Sequence, residues 1–237
     1  MDARKASETE VSVNKPRLSV AIVRDRSGSM QGVPIKSENV AITEFFEQGR
    51  ISSKTGRRTD VAIVGFDTDA YVELDWMQMD QASPELDSNA SGMTNLNDGI
   101  MLALKKIDEK RAENDSKGIP PSAPLLIVLT DGVPTSFIDE SVEAVNARLR
   151  RNDKNGLKTF MMMSIYMDSP ENSQEEREEA IKTLSRYAGG VFRADSRNYN
   201  EIFSFIHDSI KAIHDSGGDK KVNINPGEHH MQYVSLN

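Results

Sequence analysis

Cysteine is absent from this 237-residue chain. That excludes disulfides, iron–sulfur clusters and thiolate zinc sites, and it fits a reducing compartment. Histidine is scarce, with four residues. His207 and the adjacent pair His229-His230 stand at no metal-ligand spacing to one another. A nucleophile–base triad therefore has few members to draw on, and no Gly-x-Ser-x-Gly elbow occurs. Neither a Gly-x₄-Gly-Lys loop nor a Gly-x-Gly-x-x-Gly fingerprint is found. No apolar run approaches the roughly 20 residues of a membrane helix. No basic run occurs either, and the net charge is −8. A broad phosphate-contacting face is thus disfavoured, and no nucleic-acid or membrane partner is expected. The start, Met1 to Arg17, is polar and lacks an apolar signal core. A cytoplasmic location is the expectation.

The chain holds instead enough apolar residues, 37%, for one large core. Leu18–Val23, Val61–Phe66, Leu125–Thr130 and Lys158–Met167 read as buried strands, and Val191–Arg193 as a short sixth. Between Val61–Phe66 and the alternating segment Tyr71–Leu74 stands Asp67-Thr68-Asp69, a hairpin turn rather than a calcium loop. Tyr71–Leu74 is therefore an antiparallel edge strand. Trp76 to Ser91 reads as an irregular loop. Helical stripes follow Gly32 and Pro34, then run from Leu96 to Ile107, from about Ile138 to Arg150, after the capping box Ser173-x-x-Glu176, and from Ile202 to Ile213. Met161-Met162-Met163 is core filler.

Strands alternating with helices predict an α/β domain: a doubly wound, Rossmann-like, mostly parallel six-stranded sheet with helices on both faces. The domain spans 17–216. Residues 1–16 read as a flexible arm. Residues 217–237 read as a polar tail with two β-like pieces, Val222–Ile224 and Gln232–Leu236.

Three segments carry the chemistry. Asp25-Arg26-Ser27-Gly28-Ser29 follows the first strand and sets one carboxylate and two hydroxyls at spacing i, i+2, i+4. Thr94 lies in the loop before a helix, and Asp131 follows Leu125–Thr130. Three hydroxyls and two carboxylates, with no nitrogen or sulfur, suit a hard divalent cation such as Mg²⁺. Ligands of such sheets sit beyond the carboxyl ends of strands, where strand order reverses. The architecture and the donor set thus point to one rim.

These motifs, in this order, resemble a von Willebrand factor A domain with a metal-ion-dependent adhesion site. The resemblance covers roughly Arg17 to His214. It implies that Asp25, Ser27, Ser29, Thr94 and Asp131 bind Mg²⁺, with Mn²⁺ or Ca²⁺ as substitutes. An Asp or Glu of a partner protein would complete the shell, and the module would be non-catalytic. Within the family, Ser27–Ile35 and Leu129–Thr135 are most similar to stand-alone bacterial proteins of the tellurite-resistance TerY type, which are associated with stress-response clusters. An adaptor of a MoxR-type AAA+ ATPase and a metal-dependent hydrolase are the alternatives, although no general base is evident near the five ligands. The chain departs from the family in the arginines flanking Asp25. Turned inward, Arg24 or Arg26 competes with the cation, even to the point of a metal-free scaffold; turned outward, either helps select acidic ligands.

Overall fold

A computed structural model describes residues 16–154, 156, 158–195, 198–216 and 225–234. Most of the arm expected at 1–16, and the β-like piece at Val222–Ile224, lie outside these residues.

The apolar runs become strands because only a sheet covered on both faces buries every side chain of such a run. β1 (Leu18–Asp25) and β2 (Thr59–Phe66) are buried throughout, as is β4 (Leu125–Thr130). β3 (Ala70–Gln78) is half-exposed, as an edge strand should be. β5 (Met161–Asp168), β6 (Gly190–Asp195) and β7 (Gln232–Val234) complete the sheet in the order β3-β2-β1-β4-β5-β6-β7. β2, β1, β4, β5 and β6 run parallel, while β3 and β7 are antiparallel edges.

The sheet is therefore mostly parallel as expected, but seven-stranded rather than six-stranded. The added strand lies in the polar tail. Only three residues long, it is held by register against β6, where Tyr233 faces Phe192 with ring centroids 5.4 Å apart. β3 also continues through Trp76–Gln78, taking the start of the segment expected to be loop.

Helices α1 (Val33–Ile51), α2 (Ser53–Gly56), α3 (Leu96–Ser116), α4 (Asp139–Leu149), α5 (Gln174–Leu184) and α6 (Tyr199–Asp215) cover both faces. α1 and α6 pack Phe45, Phe46, Ile202 and Phe203 against Val20, Ile22, Ile127 and Ile165. α3, α4 and α5 pack Ile100, Leu104, Val145, Ala180 and Leu184 against Ala21, Val23, Val64 and Val128. Met162 and Met163 enter opposite cores, as core filler would. Ser173 and Glu176 form the expected capping box at the start of α5.

From β1 the chain winds outward to β2 and β3, then crosses to β4 on the other side of β1. Strand order reverses between β1 and β4, which opens a crevice at their carboxyl ends. Asp25 and Asp131 stand there.

Candidate metal centre

Asp25 is the last residue of β1 and is fully buried. One of its oxygens accepts the Ser27 backbone N–H at 2.8 Å, which folds the chain back over the strand end. The other accepts the Thr130 hydroxyl at 2.6 Å. A short 3₁₀ turn, Gly28–Met30, then presents the serines, whose Oγ atoms lie 3.1 Å apart. Ser29 Oγ donates to Asp131 Oδ1 at 2.8 Å across 102 positions of sequence. Ser27 and Asp131 are buried, whereas Ser29 is exposed and marks the open side.

Thr94 joins through backbone. Gly28 N–H donates to Gly92 O at 3.1 Å, and Ser91 N–H to Arg26 O at 2.9 Å. Thr94 N–H donates to Thr135 Oγ1 at 3.1 Å, and Thr135 N–H returns to Thr94 O at 3.0 Å. The Thr94 hydroxyl lies 4.0 Å from where a Cβ on Gly132 would stand. The structure thus brings all five expected residues onto three interlaced loops over the β1/β4 crevice.

The electrostatics of the crevice favour a cation. Burial pushes the Asp25 carboxyl up to about 7, and the Asp131 charge adds to the rise, against hydrogen bonds from Ser27 and Thr130. Burial also raises Asp131, opposed by the Ser29 hydroxyl and aided by Glu171. On the other face of β1, Glu38, buried in α1, is raised to about 7 by burial, with Arg24 opposing. One of its oxygens, Oε1, has no hydrogen-bond partner among the described residues. A divalent ion beside Asp25 and Asp131 would relieve the repulsion between these two carboxylates. The donors fit it: three hydroxyls and two carboxylates, all oxygen, on the open end of a sheet. Asp25, Ser27, Ser29, Thr94 and Asp131 are the residues able to hold it.

Neither arginine fills the crevice. Side chains alternate along a strand, so Arg24 points to the face opposite Asp25. There it meets Glu38 at 3.0 Å, Glu73 at 2.5 Å and Asn39 at 2.7 Å, with no solvent exposure. Arg26 turns to Glu73, Asn89 O and Tyr71. Both guanidiniums are structural partners of acids on β3, α1 and the loop after β3. Outward selection of acidic ligands by either is not what their geometry serves.

Sequence reasoning missed three supporting residues. Thr130 could have been found, because β1 and β4 end side by side and a hydroxyl at that end faces the neighbouring carboxylate. Thr135 and Asn172, which donates to Asp131 O at 2.8 Å and Tyr166 Oη at 2.9 Å, carry no such signal.

No curated protein matches the chain. Solved structures do. The PilB minor pilin from Streptococcus sanguinis is 14% identical with a TM-score of 0.61, covering 84% of this chain and 62% of its own. A von Willebrand factor type A protein from Catenulispora acidiphila is 17% identical with a TM-score of 0.53, covering 83% and 43% respectively. The vWF domain of the type V pili tip protein Mfa5 from Porphyromonas gingivalis is 11% identical with a TM-score of 0.54, covering 89% and 99%. The chain therefore spans less than two thirds of the first two, and at these identities the likeness is one of fold. The model of the von Willebrand factor type A domain matches residues 19–204, most of the chain, and the protein belongs to that family.

Proposed function

We propose that the five oxygen-bearing residues form a metal-ion-dependent adhesion site for Mg²⁺, through which the domain binds an Asp or Glu of a partner protein without catalysis. The observation that carries this reading is the Ser29–Asp131 hydrogen bond of 2.8 Å, which joins two ligand loops 102 positions apart with Ser29 left in solvent. When bound, the cation supplies an open coordination position and a charge partner for a carboxylate. Ser27, Ser29 and Thr94 offer it neutral oxygens. Asp25, held by Ser27 and Thr130, and Asp131, held by Ser29, supply charge from fixed positions. Two carboxylates held by hydrogen bonds leave part of the cation's affinity for an incoming acid.

The setting we propose is cytoplasmic, in a stress-response system of the tellurite-resistance type, on the strength of the Ser27–Ile35 and Leu129–Thr135 runs and the absence of cysteine. Among the described residues no helix is long and apolar enough to cross a membrane. A pilus adhesin, SpaC from Lactobacillus rhamnosus GG, is among the structural neighbours, which supports a binding role.

Mg²⁺ or Mn²⁺ is expected to raise the melting temperature of the purified chain, following RT ln(1 + [L]/Kd), and Asp25→Ala to abolish the rise. An intact protein that shows no metal response sinks the reading. Metal-dependent turnover of a phosphoester panel, lost in Asp131→Ala, would replace it with a hydrolase.

A further inference from the structure

Two of the ligand loops each carry a large apolar side chain held in solvent, and a third such side chain opens α1 just beyond the Asp25–Ser29 turn. Val33, four residues beyond Ser29, is 75% exposed; Met93, beside Thr94, is 54% exposed; Phe137 is 93% exposed. Phe137 lies two residues beyond Thr135, which is clasped to Thr94 by two backbone-anchored hydrogen bonds. Met93 is fixed by its N–H to Thr68 Oγ1 at 3.2 Å. The loops themselves are joined by Gly28 N–H to Gly92 O. Met93 and Phe137 therefore stand on or beside backbone that is hydrogen-bonded into the ligand loops, and Val33 opens the helix that follows Ser29. The other large exposed apolar residues, Val40, Ile51, Val72, Met77 and Tyr233, lie away from the ligand loops, on α1 and the edge strands.

An aromatic ring almost wholly in water contributes nothing to this fold by burial. At an interface such a ring is the usual anchor, and a water-excluding apolar border strengthens the polar contact it surrounds. We propose that the metal rim is a composite docking surface for a protein segment in which the Asp or Glu is flanked, within about two positions, by large apolar side chains that pack on Phe137, Met93 and Val33. The proposal rests on the metal-dependent reading above and adds the chemistry of the residues around the acid. The cation of that reading would choose the acid; the three exposed apolar side chains argue against a purely polar or polyanionic ligand, which would leave them unused.

The test is selection of a random peptide library on the immobilised full chain in Mg²⁺, with elution by EDTA. The expected result is enrichment of peptides holding Asp or Glu next to Leu, Ile, Met or Phe. A synthetic copy of an enriched peptide should bind Phe137→Ser or Met93→Ser about tenfold more weakly, corresponding to about 1.4 kcal/mol. Because neither side chain is a ligand, the Mg²⁺-induced rise in melting temperature should be unchanged in both variants. Enriched acids without apolar neighbours, or equal binding by Phe137→Ser, would overturn the proposal and leave the metal reading standing. Absence of both EDTA-sensitive peptides and a melting response would overturn the two together. Mg²⁺-dependent self-association in sedimentation velocity, lost in Phe137→Ser, would make the occupant a second copy of the chain and equally overturn it.

Discussion

Thr130 donates its hydroxyl to Asp25 at 2.6 Å between the last residues of two adjacent parallel strands. Both side chains are fully buried, so the bond fixes one Asp25 oxygen on the strand side while Ser27 N–H holds the other. The fold alone thus aims the carboxylate. That preorganisation depends on a residue outside the five-member motif.

Thr130→Val keeps the shape and removes the donor. An Asp25 oxygen is then buried without its partner, which costs about 1–3 kcal/mol. Urea denaturation should show that loss for Thr130→Val and much less for Thr130→Ser, which retains the hydroxyl. The Mg²⁺-induced stabilisation should fall in the valine variant as well, since Asp25 is no longer held. Equal stability of Thr130→Val and the parent would mean that water or backbone replaces the bond.

The placement of two candidate residues, Asp25 and Asp131, was legible because they sit where apolar runs stop. Leu18–Val23 and Leu125–Thr130 announce strands, and a carboxylate just past each has nowhere to be but the rim. What flanks Asp25 was harder to read. Strand alternation puts Arg24 opposite Asp25, but the choice of Glu38 and Glu73, 14 and 49 positions away, depends on where α1 and β3 pack. No local pattern encodes such pairing. β7 falls within the β-like piece Gln232–Leu236, but its place in the sheet was not legible: three residues in a polar tail become a strand only by adding to an existing edge, with Phe192 there to receive Tyr233. The extension of β3 is similar, since β2 supplies the partners Asp60 and Val61 for Gln78 and Met77.

His214, near the end of α6, should make stability fall in mild acid. Its Nε2 lies 2.9 Å from Thr59 Oγ1, which itself donates to Thr55 O at 2.9 Å, so the imidazole is the donor to Thr59. Burial, then the charge of Arg58, with smaller effects of Lys54 and Arg17, lowers its pKa from 6.5 to about 4; Asp215 opposes. In the unfolded chain the ring takes a proton near 6.5, whereas the folded state resists until about 4. The unfolded state therefore binds more protons in that window, and stability is lost as pH falls through it. The group is only partly buried, so the loss is on the order of 1–2 kcal/mol. Denaturation curves at pH 7 and pH 4.5 for the parent and His214→Gln isolate it from the carboxylates. The parent should lose more than the variant, and an identical decline in both would remove His214 from the account.

Two glycines with positive φ separate the backbone that serves the site from the backbone that serves only the fold. Gly92 has φ +84°, and a Cβ there would lie 2.6 Å from Thr68 Oγ1, the acceptor of Met93 N–H. Gly118, just beyond α3, has φ +65° with nothing within 4 Å. Alanine at either position meets the left-handed penalty, about 1–2 kcal/mol. Gly118→Ala should show that loss alone, with the Mg²⁺-induced melting rise intact. Gly92→Ala must also push Thr68 or its own loop aside, and that loop carries Thr94 and accepts the Gly28 N–H. Its Mg²⁺ response should therefore shrink well beyond what lost stability explains. Thermal melts of both variants with and without Mg²⁺ decide the matter. A full response in Gly92→Ala would show that Thr94 is positioned by α3 and Thr135 rather than by the turn before it.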